Sequence, residues 1–110
     1  MSRHDDKVYL GHIHDSIEKI EQYVENDTFE QFQNDDETID SVARNLEIIG
    51  EASNNISDNF CESHPNMDFR PAIDMRNWLA HGYDQVDLEV VWKTIKEDLP
   101  ILKDQIEALL

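Results

Sequence analysis

Proline and glycine are scarce in this chain, three of each among 110 residues. An all-β fold turns often and draws heavily on both, so that class is excluded. There is one cysteine, Cys61, which rules out an intrachain disulfide and any cysteine-built metal cage. Long apolar runs are also missing. The longest reach three residues, Val90 to Trp92 for example, too short for a membrane-spanning helix. The first ten residues are mostly polar and lack the apolar stretch of a secretory signal, so the expected location is the cytosol. Positive charge is scarce too: nine Lys and Arg stand against 25 Asp and Glu, for a formal net charge of −16. Non-specific affinity for nucleic acid comes mainly from cations that neutralise phosphates. Long-range attraction to RNA is therefore excluded, and any RNA chemistry must depend on a small local cationic site.

What the chain does have is helical patterning. Apolar residues make up 39% of the sequence and charged ones 31%, ordinary for a folded, helix-rich protein. The length suits a single domain over residues 1–110. Leu10, Ile13, Ile17, Ile20 and Val24 recur at spacings of three and four, which predicts a first helix over about 7–25. Thr28 and Gln31 read as a capping box for a short helical turn. A second stripe through Ile39, Val42, Leu46, Ile49, Ser53 and Ile56 predicts a helix over about 37–56. Gly50 lies on that face, where a glycine costs roughly 1 kcal/mol against alanine and marks a close approach of another helix. Residues 57–68 read as a loop. Asp68 caps a third helix that carries Ile73, Met75, Trp78 and Leu79 and ends near Gly82. Asp87 caps the last helix, whose stripe from Leu88 to Leu109 runs through Pro100, where a kink is expected. The fold class is all-α, an antiparallel bundle of four to five helices.

One segment stands apart chemically, Arg76-Asn77-Trp78-Leu79-Ala80-His81-Gly82-Tyr83. It sets a permanent cation, an imidazole and a phenol near a helix exit. A guanidinium holds phosphate in a planar fork, and an imidazole exchanges protons near neutrality. Those two groups suffice to cleave an RNA phosphodiester without a metal. Five residues along a regular helix turn about 140°, so Arg76 and His81 do not share a face. They converge either at a frayed helix end or across the axis of a dimer. The plainer alternative has Arg76 paired with a surface carboxylate and His81 capping the helix C-terminus.

The run Arg76-x4-His81-x-Tyr83, with Asn77 after the arginine and Ala80 before the histidine, resembles the signature of the HepT-like toxins of the HEPN ribonuclease superfamily. Asn45-Leu46-Glu47-Ile48-Ile49-Gly50-Glu51-Ala52 is similar to that family's central helix. The resemblance implies an all-α homodimer with a metal-independent endoribonuclease site where two motifs face each other, and no cofactor. Arg76 and His81 would be the catalytic pair, with Asn77 in support. It further implies a type VII toxin–antitoxin pair. The partner would be an MntA-like minimal nucleotidyltransferase that uses ATP to add AMP to Tyr83. The alternative is a non-catalytic helical scaffold that binds such a nucleotidyltransferase.

Other candidates are weaker. His12 and His14 are two apart on a helix and point to nearly opposite sides, so they do not chelate one ion. Trp78 and Trp92 read as packing anchors ahead of base-stacking platforms. Glu47 and Glu51 read as solvent-facing, with one of them able to orient Arg76. Cys61 reads as an inert loop thiol.

Overall fold

The computed structural model describes residues 3–81 and 87–110, and for residues 3, 4, 80 and 81 the backbone alone. The helices are α1 (Arg3–Val24), α2 (Phe29–Gln33), α3 (Asp36–Asn54), α4 (Asp58–Ser63), α5 (Arg70–His81), α6 (Leu88–Lys93) and α7 (Leu99–Glu107). A π-helical turn, Thr94–Asp98, joins α6 to α7. The sequence stripes become the core: Ile13, Ile17, Ile20, Val24, Val42, Leu46, Ile49, Ile95, Leu99 and Ile106 are all buried. α1 packs along α3, α3 along α5, and α7 returns beside α1. The four long elements thus form the expected antiparallel bundle, and α2 and α4 are short helices in its connections.

Local chemistry sets the boundaries. Thr28 and Gln31 form the capping box, the Thr28 N–H donating to Gln31 Oε1 at 2.8 Å and the Gln31 N–H to Thr28 Oγ1 at 3.2 Å. Asp87 Oδ1 accepts from the Glu89 N–H at 2.9 Å, as its place before the last helix requires. Asp68 Oδ1 accepts from the Arg70 N–H at 3.0 Å, just ahead of α5, with Pro71 in the first turn. The helix end expected at Gly82 lies outside the described residues.

One expectation needs correction and another gains a detail. The 57–68 segment is not all loop, because Ser57 caps α4 by accepting from the Phe60 N–H at 3.1 Å. This six-residue helix fully buries no side chain, only Phe60 resting against the core, so it leaves no apolar stripe to read. It is anchored from afar: Asp6, buried in α1, accepts from the Ser57 N–H at 2.8 Å and its hydroxyl at 2.6 Å. At Pro100 the chain uses the π turn. The Leu99 N–H donates to Thr94 O, five residues back, which widens the helix just before the ring that would otherwise crowd it.

Trp92 packs as expected, 5.1 Å from the Phe32 ring and 6.1 Å from Phe29, with Lys96 Nζ 4.7 Å above it. Trp78 stays out of the core of the single chain: it is 36% exposed, which leaves apolar surface inside the candidate motif.

α1 and α7 are stapled by charge. His14 Nε2 lies 2.8 Å from Glu107 Oε2, its Nδ1 lies 3.6 Å from Glu18, and Lys103 Nζ donates to Glu21 at 2.8 Å. The Glu107 hydrogen bond raises the His14 pKa above its ordinary 6.5, and the same bond lowers that of Glu107 below 4.5. The histidine contribution is complete below pH 6.5 and is lost as pH rises through the raised folded value. The carboxylate contribution is complete above 4.5 and is lost on acidification. The thermal midpoint should therefore fall as pH rises from 6.5 through the raised folded value of His14, and Glu107→Gln should flatten that slope. Identical slopes in the two proteins, measured by calorimetry, would remove the staple as its source.

Candidate active site

The site begins with a missing side chain on α3. A Cβ built on Gly50 would collide with the Arg76 Cβ, and would lie 2.8 Å from its Cγ and 2.9 Å from the Ala72 carbonyl oxygen. The close approach expected at this glycine is therefore the crossing of α3 and α5, and what crosses there is Arg76. Met75 and Leu79 bury the inner face of α5, and Ala72 fits its first turns against α3. Arg76 is half-buried on the flank, its stem fixed against the α3 backbone.

The guanidinium at the end of that stem donates from Nη1 to Asn77 Oδ1 at 3.2 Å. Among the described residues no carboxylate pairs with it. Glu47 and Glu51 are exposed and make no ion pair to Arg76, so neither orients it. A cation held by a neutral amide keeps most of its charge for an incoming anion.

α5 stays helical through His81. Regular geometry then separates the Arg76 and His81 backbone positions by about 7.5 Å along the axis and about 140° around it. The turn after His81, where a frayed end would fall, lies outside the described residues. Tyr83 lies outside the described residues.

The remaining polar groups occupy other faces. His14 shares its neighbourhood with Asp15 and Glu18, a His/Asp/Glu group within 4.8 Å on α1, and its partner Glu107 comes from α7. Local spacing hides Glu107, because 93 residues separate the two. His12 is exposed and edges against Tyr9. His64 Nδ1 lies 3.0 Å from the Phe60 carbonyl oxygen and its ring stacks on Phe60. Cys61 sits on α4 rather than in a loop; it is exposed, and local desolvation, helped by the charges of Asp58 and Asp6, pushes its thiol up and away from reactivity.

A four-helix core with a half-buried arginine seated at a helix crossing defines an all-α bundle of the HEPN type. The chain belongs to the ribonuclease HepT-like family, whose model matches residues 13–109. It is 47% identical over 103 residues to a probable ribonuclease HepT of Thermococcus cleftensis, covering 94% of each chain. It is 36% identical over 109 residues to an inferred RNase of Methanocaldococcus jannaschii, covering 99% of this chain and all of that one. A second M. jannaschii protein, named as a gamma-glutamylcyclotransferase and inferred RNase, is 39% identical over 104 residues, and the match spans 47% of its length. No solved structure matches significantly. Among the described residues, no helix is long and apolar enough to cross a membrane.

Proposed function

We propose that this chain is a metal-independent endoribonuclease that works as a homodimer, with Arg76 of one subunit and His81 of the other at each site. The observation that carries this reading is Arg76 itself, seated on Gly50 and free of any carboxylate among the described residues, in a chain of a ribonuclease family. Helix geometry holds Arg76 and His81 apart on one α5, and a two-fold axis offers a way to bring one of each together. The exposed Trp78, beside Asn77 in the same motif, supplies apolar surface that a second copy would cover.

In the reaction the His81 imidazole takes the proton of the 2′-hydroxyl, and the 2′-oxygen attacks phosphorus. The bond from phosphorus to the 5′-oxygen breaks, and that oxygen takes a proton from water. Arg76 holds the negative charge that builds on the phosphoryl oxygens. The product is a 2′,3′-cyclic phosphate that can open to a 3′-phosphate.

Control belongs to the same reading. The chain is the toxin of a type VII toxin–antitoxin pair, and an MntA-like nucleotidyltransferase silences it by moving AMP from ATP onto the Tyr83 hydroxyl: the phenolic oxygen bonds the α-phosphorus, the α–β anhydride bond breaks and pyrophosphate leaves with the proton lost to solvent. The added phosphodiester brings about one negative charge within two residues of His81. Intact-protein mass spectrometry after incubation with that enzyme and ATP should show AMP on the wild type and none on Tyr83→Phe. Tyr83→Phe should still arrest growth. Equal labelling of both would move the modification elsewhere. Cleavage should persist in EDTA, and a loss restored by magnesium would overturn the Arg76 and His81 chemistry.

A further inference from the structure

A cleft of about 550 Å³ opens where α3, the 65–69 segment and the first turns of α5 meet. It lies about one turn from the Gly50–Arg76 crossing on both helices, since Ser53 follows Gly50 by three residues and Ile73 precedes Arg76 by three. Its lining mixes apolar surface from Pro65, Met67 and Ile73 with the polar groups of Ser53 and Arg70. Flat apolar walls with a few polar groups are what a nucleobase and its phosphate need.

Two side chains there are not explained by the fold. Ser53 is 4% exposed, and its hydroxyl is the one buried side-chain polar atom among the described residues without a hydrogen-bond partner. Such a group costs stability unless something meets it. Arg70 is the second. Asp68 grips its Nε at 2.9 Å and its Nη2 at 3.1 Å, which fixes the guanidinium plane while the side chain stays 84% exposed. No described residue bonds Nη1. Asp68 offsets part of the charge, but it holds the fork in one orientation, and a held arginine loses less entropy on meeting phosphate.

Arg70 and Arg76 stand six residues apart on α5, about 9 Å along its axis and about 120° around it, flanking Ile73 on either side. We infer that this cleft is an RNA subsite. It receives the nucleotide next to the scissile bond, with Arg70 on its phosphate and the Ser53 hydroxyl on its base or sugar. The inference rests on the ribonuclease reading for the identity of the ligand. In a chain of net charge −16, two arginines on one helix would set the track of the strand.

The test uses a short fluorescein-labelled single-stranded RNA of mixed sequence, its 2′-hydroxyls methylated so that binding is read without cleavage. Arg70→Ala should weaken binding about tenfold and lower the salt slope by about one ion, and Arg70→Lys should restore much of both. Ser53→Ala should weaken binding a few-fold while leaving the thermal midpoint unchanged or higher. On the same RNA with free 2′-hydroxyls, Arg70→Ala should raise KM more than it lowers kcat. If Arg70→Ala and Ser53→Ala bind like the wild type while Arg76→Ala does not, the subsite is refuted and the ribonuclease reading stands. If the wild type neither binds nor cleaves RNA, both fall together.

Discussion

Arg76→Ala and His81→Ala, each purified as a folded dimer, should cleave RNA about 10²–10³-fold more slowly than the wild type. Mixed dimers of the two variants should recover a large part of that loss. If each site takes its arginine from one chain and its histidine from the other, a mixed dimer holds one site with neither group and one with both. Were the pair contributed by a single α5, no mixed dimer would carry a complete site. Activity of the mixture at the level of the separate variants would therefore rule out sharing. Circular dichroism and light scattering on the same samples separate lost chemistry from lost fold. Arg76 is half-buried, so its truncation also removes packing against α3, whereas Asn77→Ala removes only the amide that steadies Nη1. Asn77→Ala should cost less than either member of the pair.

The second large effect is expected at Gly50. Alanine there gains roughly 1 kcal/mol of helix propensity but forces α3 and α5 apart, and overpacking of this kind typically costs about 1–3 kcal/mol. The net loss of about 0–2 kcal/mol would lower the thermal midpoint by up to about 15 °C in a domain of this size. Activity should fall further than stability, because the displaced atoms are the Arg76 stem and the Ala72 carbonyl. A fall of at least tenfold in cleavage by Gly50→Ala, assayed well below its midpoint, is the expected result. Wild-type activity in that variant would mean that Arg76 does not depend on its seat. Gly11 provides the control, since a Cβ there meets nothing within 4 Å.

Gly50 also shows how much of the site could be read in advance. A glycine on the buried stripe of a helix that otherwise favours larger side chains is a local anomaly, and it pointed to a close crossing. The stripes of α1, α3 and α7, the Thr28–Gln31 box and the Asp87 cap were legible for the same reason: partners within one or two turns leave a mark in spacing. What stayed hidden was long-range or geometrically unusual. The bond from Asp6 to Ser57 spans 51 residues and that from His14 to Glu107 spans 93, so neither shapes a local pattern. α4 rests on the core through Phe60 alone, too little to make a stripe. The π turn before Pro100 was not legible either, because proline alone marks where a helix is disturbed and not which turn takes up the disturbance. Trp78 read as a core or interface anchor, and its place in the core of one chain is what spacing did not settle: it stands at the surface of α5.

The antiparallel pairing of α1 with α7 governs how this domain can be joined to others. Glu107 reaches His14, Lys103 reaches Glu21, and Leu109 and Leu110 border a hollow with Asp6, Lys7 and Leu10. The start of α1 and the end of α7 therefore share one end of the bundle. Asp6 binds Ser57 beyond the far end of α3, and α5 starts beside that same end at Ser53 and Arg70. From there α5 runs away toward His81, some 18 Å for a 12-residue helix. A domain attached before α1 or after α7 would thus emerge at the end opposite the one where α5 finishes. The bundle is in this sense a module with its attachment points on one side, open to fusion at either end with its motif helix pointing away from the join.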